Sequence, residues 1–204
     1  MTFKEKVGII ATGLFTTGAM FTALTSALLL TSTASYAKDK DHKDDIMRLA
    51  LQSSETTMTQ AIAAFRSNYA GTIVEIELDD EDHMLVYEIK AINLDAGEKH
   101  QASYTLNNLT EVDYYHKSLK VLGFSKLDDE DIAAIESVSQ PGAVSIDKAI
   151  EIANAHNSSH IESIELEHKR GLTYYEVDYI DNANTKRLLI DAATGEAIPS
   201  INRK

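Results

Sequence analysis

The chain contains no cysteine. That absence removes disulfides, thiolate metal sites, thiol catalysis and a lipid-linked N-terminal cysteine, so an exported form must be held by its core alone. The short signatures of common chemistry are missing too: there is no H-E-x-x-H, no P-loop, no G-x-G-x-x-G and no readable Ser-His-Asp set. Basic residues are scarce, 19 Lys and Arg against 32 Asp and Glu, for a formal net charge of −13. So negative a chain repels a phosphate backbone, which argues against nucleic-acid binding. It favours a basic partner, unless the acidity serves only solubility.

What is present begins with a leader. Lys4 and Lys6 precede an apolar or small-residue run from Val7 to Leu30, and Ser35 and Ala37 stand at −3 and −1 of a cleavage site. That order is the pattern of a secretory signal peptide over residues 1–37. The run is also long enough for an uncleaved membrane anchor, although Thr16, Thr17, Thr22, Thr25 and Ser26 lower its hydrophobicity. Cleavage after Ala37 leaves 167 residues of net charge −14, expected in the periplasm or outside the cell and free of the membrane. Residues 38–54 read as a polar tether, Lys38 to Asp45, with a short helical lead-in over Ile46 to Leu51.

The rest of the chain is written twice. Ile73 to Ile89 reappears, without a gap, as Ile161 to Val177, 88 positions later. Eight of the 32 positions from 58 to 89 are identical in the second copy, where ordinary composition gives about two by chance. Each copy opens with a capped helix: Thr57 with Gln60 makes a capping box, and Ser145 is an N-cap residue. Met58, Ala61, Ile62 and Phe65, and again Ile146, Ala149, Ile150 and Ala153, form one apolar stripe at helical spacing. Each helix is followed by two alternating strands around a polar turn, placed at Asp79 to Asp82 in the first copy and His168 to Gly171 in the second. Further strands are expected near Gln101 to Leu106, Lys186 to Ile190 and Ala197-Ile198, with a turn at Asp181 to Asn184. Residues 55–112 and 143–204 thus read as two units. Residues 113–142 read as a connector, with a helix over Leu127 to Val138 ended by Gln140-Pro141-Gly142.

A helix, then Ile164-Glu165-Leu166, Tyr175-Glu176-Val177 and a closing Asp191-Ala-Ala-Thr194-Gly195-Glu196, resembles the PepSY domain. The first copy keeps Ala61-Ile62, Ile76-Glu77-Leu78 and Tyr87-Glu88-Ile89 but has Leu106-Asn-Asn-Leu109-Thr110-Glu111 at its end. The resemblance implies an α+β fold of two repeated units, each one helix packed on a three- to four-stranded antiparallel sheet. It further implies a non-catalytic protein without a cofactor. Its partner would be another protein, a secreted metallopeptidase being the kind the family's propeptides accompany, to be inhibited or regulated. An envelope metal- or ligand-binding sensor and a purely structural interaction module are the alternatives.

Among candidate residues, His156 and His160 have a metal-compatible spacing on a helix, but Asn157-Ser158-Ser159 between them favours an exposed loop. Asp79, Asp80, Glu81 and Asp82 lack the spacing of a calcium loop and read as solvated. No metal site and no catalytic residue is assigned. The corresponding second turn carries His168, Lys169 and Arg170. Two like-folded turns of opposite charge are candidate partner contacts, with drift at unconstrained turns as the plainer reading. Glu77 with Glu88, and Glu165 with Glu176, are expected on neighbouring strands, where close approach would let them couple as catalytic carboxylates do. Their appearance in both copies favours a structural role, as it does for Tyr87 and Tyr175. Gly195 is expected to supply a positive φ angle in its turn.

Overall fold

The computed structural model of this chain describes residues 45–82, 84–121, 124, 125, 127–180 and 186–198. The expected leader, the polar stretch from Lys38 to Asp44, His83 and the Asp181 to Asn184 turn lie outside them. Residues 45–53 form helix α1. It is tied down more firmly than a tether: Met47 is buried in the main core and Leu51 packs against it, while Ile46 and Leu49 face solvent.

Helix α2 (Met58–Asn68) begins at the capping box read from the sequence. The Gln60 amide donates to Thr57 Oγ1 and the Thr57 amide to Gln60 Oε1, the latter at 2.9 Å. Met58, Ala61, Ile62 and Phe65 are its buried stripe. Gly71 then brings the chain back at φ 134°, where a Cβ would stand 2.8 Å from the carbonyl carbon and oxygen of Ile92. Only glycine permits that approach. It lets β1 (Thr72–Glu81) start flush against the end of β2 (Met84–Asn93). Two more strands follow, β3 (Glu98–Thr105) and β4 (Glu111–Ser118), then a short pair, β5 (Lys120–Val121) and β6 (Phe124–Ser125). Helix α3 (Asp129–Val138) is capped by Asp128 and packs against the second unit's hairpin. That unit comprises α4 (Ile146–His156), capped by Ser145, and strands β7 (Ile161–Lys169), β8 (Leu172–Tyr179), β9 (Lys186–Asp191) and β10 (Ala197–Ile198).

The eight long-sheet strands lie in the order β10-β9-β8-β7-β1-β2-β3-β4, every pair antiparallel. The order is palindromic, each unit giving one helix and four strands, so the fold is α+β with the module used twice. The units join through their first strands. There Ile76 pairs with Ile164, its own counterpart in the repeat, flanked by Glu75 opposite Glu165 and Glu77 opposite Ser163. A local two-fold axis therefore runs through that isoleucine pair. Both isoleucines are fully buried beneath the helices, with Leu78, Tyr87, Ile89, Leu166, Tyr175 and Val177 around them in one continuous core.

Two sequence expectations change. Residues 113–118, read as the start of the connector, are strand: β4 completes the first unit. Both hairpin turns are also tighter than expected. Glu81 pairs with Met84 and Lys169 with Leu172, which places the turns at Asp82 and at Arg170-Gly171. Asp82, Arg170 and Gly171 have φ of 48°, 58° and 79°, the positive values that two-residue turns demand.

Candidate functional site

Because β1 and β7 run antiparallel, the two hairpin turns point to opposite ends of the sheet. The acidic and basic candidates are therefore not brought together. Asp79, Asp80 and Glu81 are strand residues of β1, with Asp82 exposed at the turn. At the other end, Lys169 is held by Glu167 at 2.7 Å, and His168 Nδ1 lies 2.7 Å from Thr173 Oγ1, which donates to Ser137 on α3. Of that trio, Arg170 is the residue at the turn itself.

The paired glutamates stand directly opposite each other, as Glu77 with Glu88 and Glu165 with Glu176. A cation bridges the first hairpin, and in the second unit a cation of β9 joins β8. Lys90 Nζ lies 2.9 Å from Glu88, 3.0 Å from Glu75 and 3.5 Å from Glu77. Arg187 reaches Glu176 at 2.6 Å and grips Asp178 with two nitrogens. Burial raises the Glu77 carboxyl, with Lys90 working against it, and burial likewise raises Glu165. These are cross-strand ion pairs on the sheet face away from the core, the structural one of the two readings.

Tyr87 and Tyr175 are core residues, and burial pushes Tyr87 up to about 12. The Tyr175 hydroxyl donates to the Val144 carbonyl at 2.8 Å. The Asp191 turn forms as expected: Asp191 Oδ1 accepts from the Ala193 and Thr194 amides, and Gly195 sits at φ 76°. In the first unit Leu109, at φ 55°, takes the strained position instead.

Three surfaces stand out as able to recognise something. The first is β4, exposed at all eight positions along the outer edge of the sheet, with Val112, Tyr114 and Tyr115 among the exposed large hydrophobics. The opposite edge is the two-residue β10. The second is a groove between the units. On one side of the local two-fold, Arg66 of α2 and Asp147 of α4 form a salt bridge at 2.7 Å. Their counterparts in the repeat are Asn154 and Thr59, which make no such bridge. Together with Thr56, Tyr87, Ser158 and His160 they line an opening of about 410 Å³. His156 is at the end of α4 and His160 lies in this lining.

The third surface holds a cluster that the sequence reading did not find. Cross-strand neighbours His100 and His116 stack with ring centroids 5.1 Å apart, and both direct Nε2 toward Glu98, at 3.6 Å and 3.5 Å. Tyr69, at the end of α2, stacks on Tyr114 at 4.5 Å, and its hydroxyl donates to Glu111. Tyr114 Oη lies 3.0 Å from His100 Nδ1. Burial, and next the neighbouring His116, lower His100, with Glu98 working against them. The cluster's signal in the sequence was faint, two histidines 16 positions apart, one of them in the segment read as a connector.

One helix on four antiparallel strands, used twice, defines a small α+β module. The chain belongs to the PepSY family: that family, described as peptidase propeptide and YPEB domain, matches residues 57–114 and 143–198. Among solved structures the chain is similar to the crystal structure of a candidate lipoprotein from Clostridium difficile 630, with 17% identity, TM-score 0.46, and 75% of this chain and 97% of that one covered. It is also similar to the YpmB protein from Bacillus subtilis, with 16% identity, TM-score 0.25, and coverage of 71% and 96%. None of the curated proteins compared matches the chain. No helix among the described residues is long and apolar enough to cross a membrane.

Proposed function

We propose that this chain is an exported, non-catalytic binding module that docks on a secreted or envelope peptidase and restrains it. The leader pattern of residues 1–37 supports export, and membership of a family described by peptidase propeptides supports the choice of partner. The observation that carries the reading is β4. An eight-residue edge strand, exposed throughout and bearing Val112 and Tyr115 outward, offers unpaired backbone groups and two apolar anchors to an extended segment of a partner.

The test is hydrolysis by a secreted metallopeptidase with the chain in molar excess. Slowed hydrolysis is expected. A Val112→Ser, Tyr115→Ser double variant should inhibit at least about tenfold more weakly, because interface energy concentrates in a few large anchors. Its melting temperature should barely change, since both side chains are exposed. Undiminished hydrolysis in excess wild-type chain would overturn the reading. Equal inhibition by the double variant would move the docking surface away from β4.

A further inference from the structure

We propose that Glu98, His100 and His116 form a binding site for a divalent transition-metal cation of the zinc type. Each offers one ligand atom, and the three atoms lie within 4.8 Å of one another. Two donors bound to one tetrahedral zinc at its usual bond lengths are separated by about 3.3 Å. The contacts of 3.6 Å from His100 Nε2 to Glu98 Oε2 and 3.5 Å from His116 Nε2 to Glu98 Oε1, one to each carboxylate oxygen, are close to that edge. A metal enters as side-chain rotation draws the three ligand atoms together from within 4.8 Å of one another to that spacing. Two imidazoles and one carboxylate are a borderline donor set that suits zinc, copper or nickel and is poor for calcium or magnesium.

The support around these ligands is built as a metal site requires. His100 Nδ1 lies 3.0 Å from Tyr114 Oη, so when Nε2 serves as the metal donor the proton rests on Nδ1 and is held by that hydroxyl. Tyr114 is itself held by stacking on Tyr69. The ligands come from paired strands, so the pleat fixes their spacing: His100 and His116 are directly opposite, and Glu98 is two residues along the same face as His100. The side chains of Glu98 and His116 are 39% and 41% exposed and that of His100 is 12% exposed. Three protein ligands with an outward side leave the fourth position to water or to an atom of a docked partner. The site belongs to the first unit alone. In the second unit β9 begins at Lys186, which pairs with Tyr179, and no histidine stands on it.

The experiment is calorimetric titration of the purified chain with zinc chloride, with calcium and magnesium chloride as controls. One zinc per chain and no response to calcium or magnesium are expected. His116→Ala and Glu98→Gln, both at exposed side chains, should each weaken zinc binding at least about tenfold. Tyr114→Phe, which keeps the stack but removes the orienting hydroxyl, should weaken it by about tenfold. His156→Ala and His160→Ala should bind as wild type does. If a variant melts early, the histidine ring-proton signals of the wild-type chain decide instead: His100 and His116 should shift together on adding zinc, and His156 and His160 should not. No zinc binding, binding undiminished in both His116→Ala and Glu98→Gln, or ring shifts confined to other histidines would overturn the proposal.

Discussion

Arg170 holds its place in the β7–β8 turn at φ 58°, a conformation that costs an L-residue other than Asn or Gly about 1–2 kcal/mol. The turn keeps it because Gly171 takes the second positive φ, and Arg170 is exposed, so no packing depends on it. Arg170→Asn should therefore stabilise the fold by about 0.5–1 kcal/mol, read from urea denaturation. The same variant asks whether the cation matters to a partner: unchanged inhibition would leave Arg170 a turn residue only. At this scale the caps, the buried helical stripes and Gly195 were legible, because each depends on neighbours a few positions away. The cluster of Glu98, His100 and His116 was not, since a cross-strand pairing brings its members together.

At the scale of elements, the helices and the inner strands could be read because burial writes a period into the sequence. β4 escaped for the opposite reason: all eight of its residues are exposed, so neither face carries an apolar alternation. The hairpin turns were drawn too wide because Asp79 to Asp82 is polar throughout, yet pairing with Met84 to Val86 holds its first three residues in the strand. The packing of strands under helices also sets a pH response. The Tyr179 hydroxyl, on β8, donates to the Ala153 carbonyl of α4, and burial pushes both Tyr179 and Tyr87 up to about 12 from 10.0. A raised folded value means that the contribution is fully present below the unfolded value and is lost as the pH climbs through the folded one. Stability should thus fall between pH 10 and about 12, followed by urea midpoints and tyrosinate absorbance. Tyr179→Phe should flatten that fall, and an unchanged slope would show that this tyrosine titrates alike folded and unfolded.

For the whole molecule, the duplication was plain in the sequence but the way the copies join was not. Ile76 and Ile164 look the same whether each is buried within its own unit or paired across the boundary, and the structure does both. That junction hides two strand edges, β1 and β7, at the centre of the sheet, and the outer edges are the two-residue β10 and the eight-residue β4. It also sets the two hairpin turns at opposite ends, so a partner that spans the molecule meets an acidic end and a basic one separately.

The docking account is tested most directly by amide hydrogen exchange of the chain, alone and mixed with the peptidase it slows. The edge-facing amides of β4 should exchange rapidly in the free chain and become protected in the mixture, while the β1–β7 junction stays protected throughout. Protection appearing only at Asp82 or Arg170, or none on β4 while hydrolysis is slowed, would contradict it.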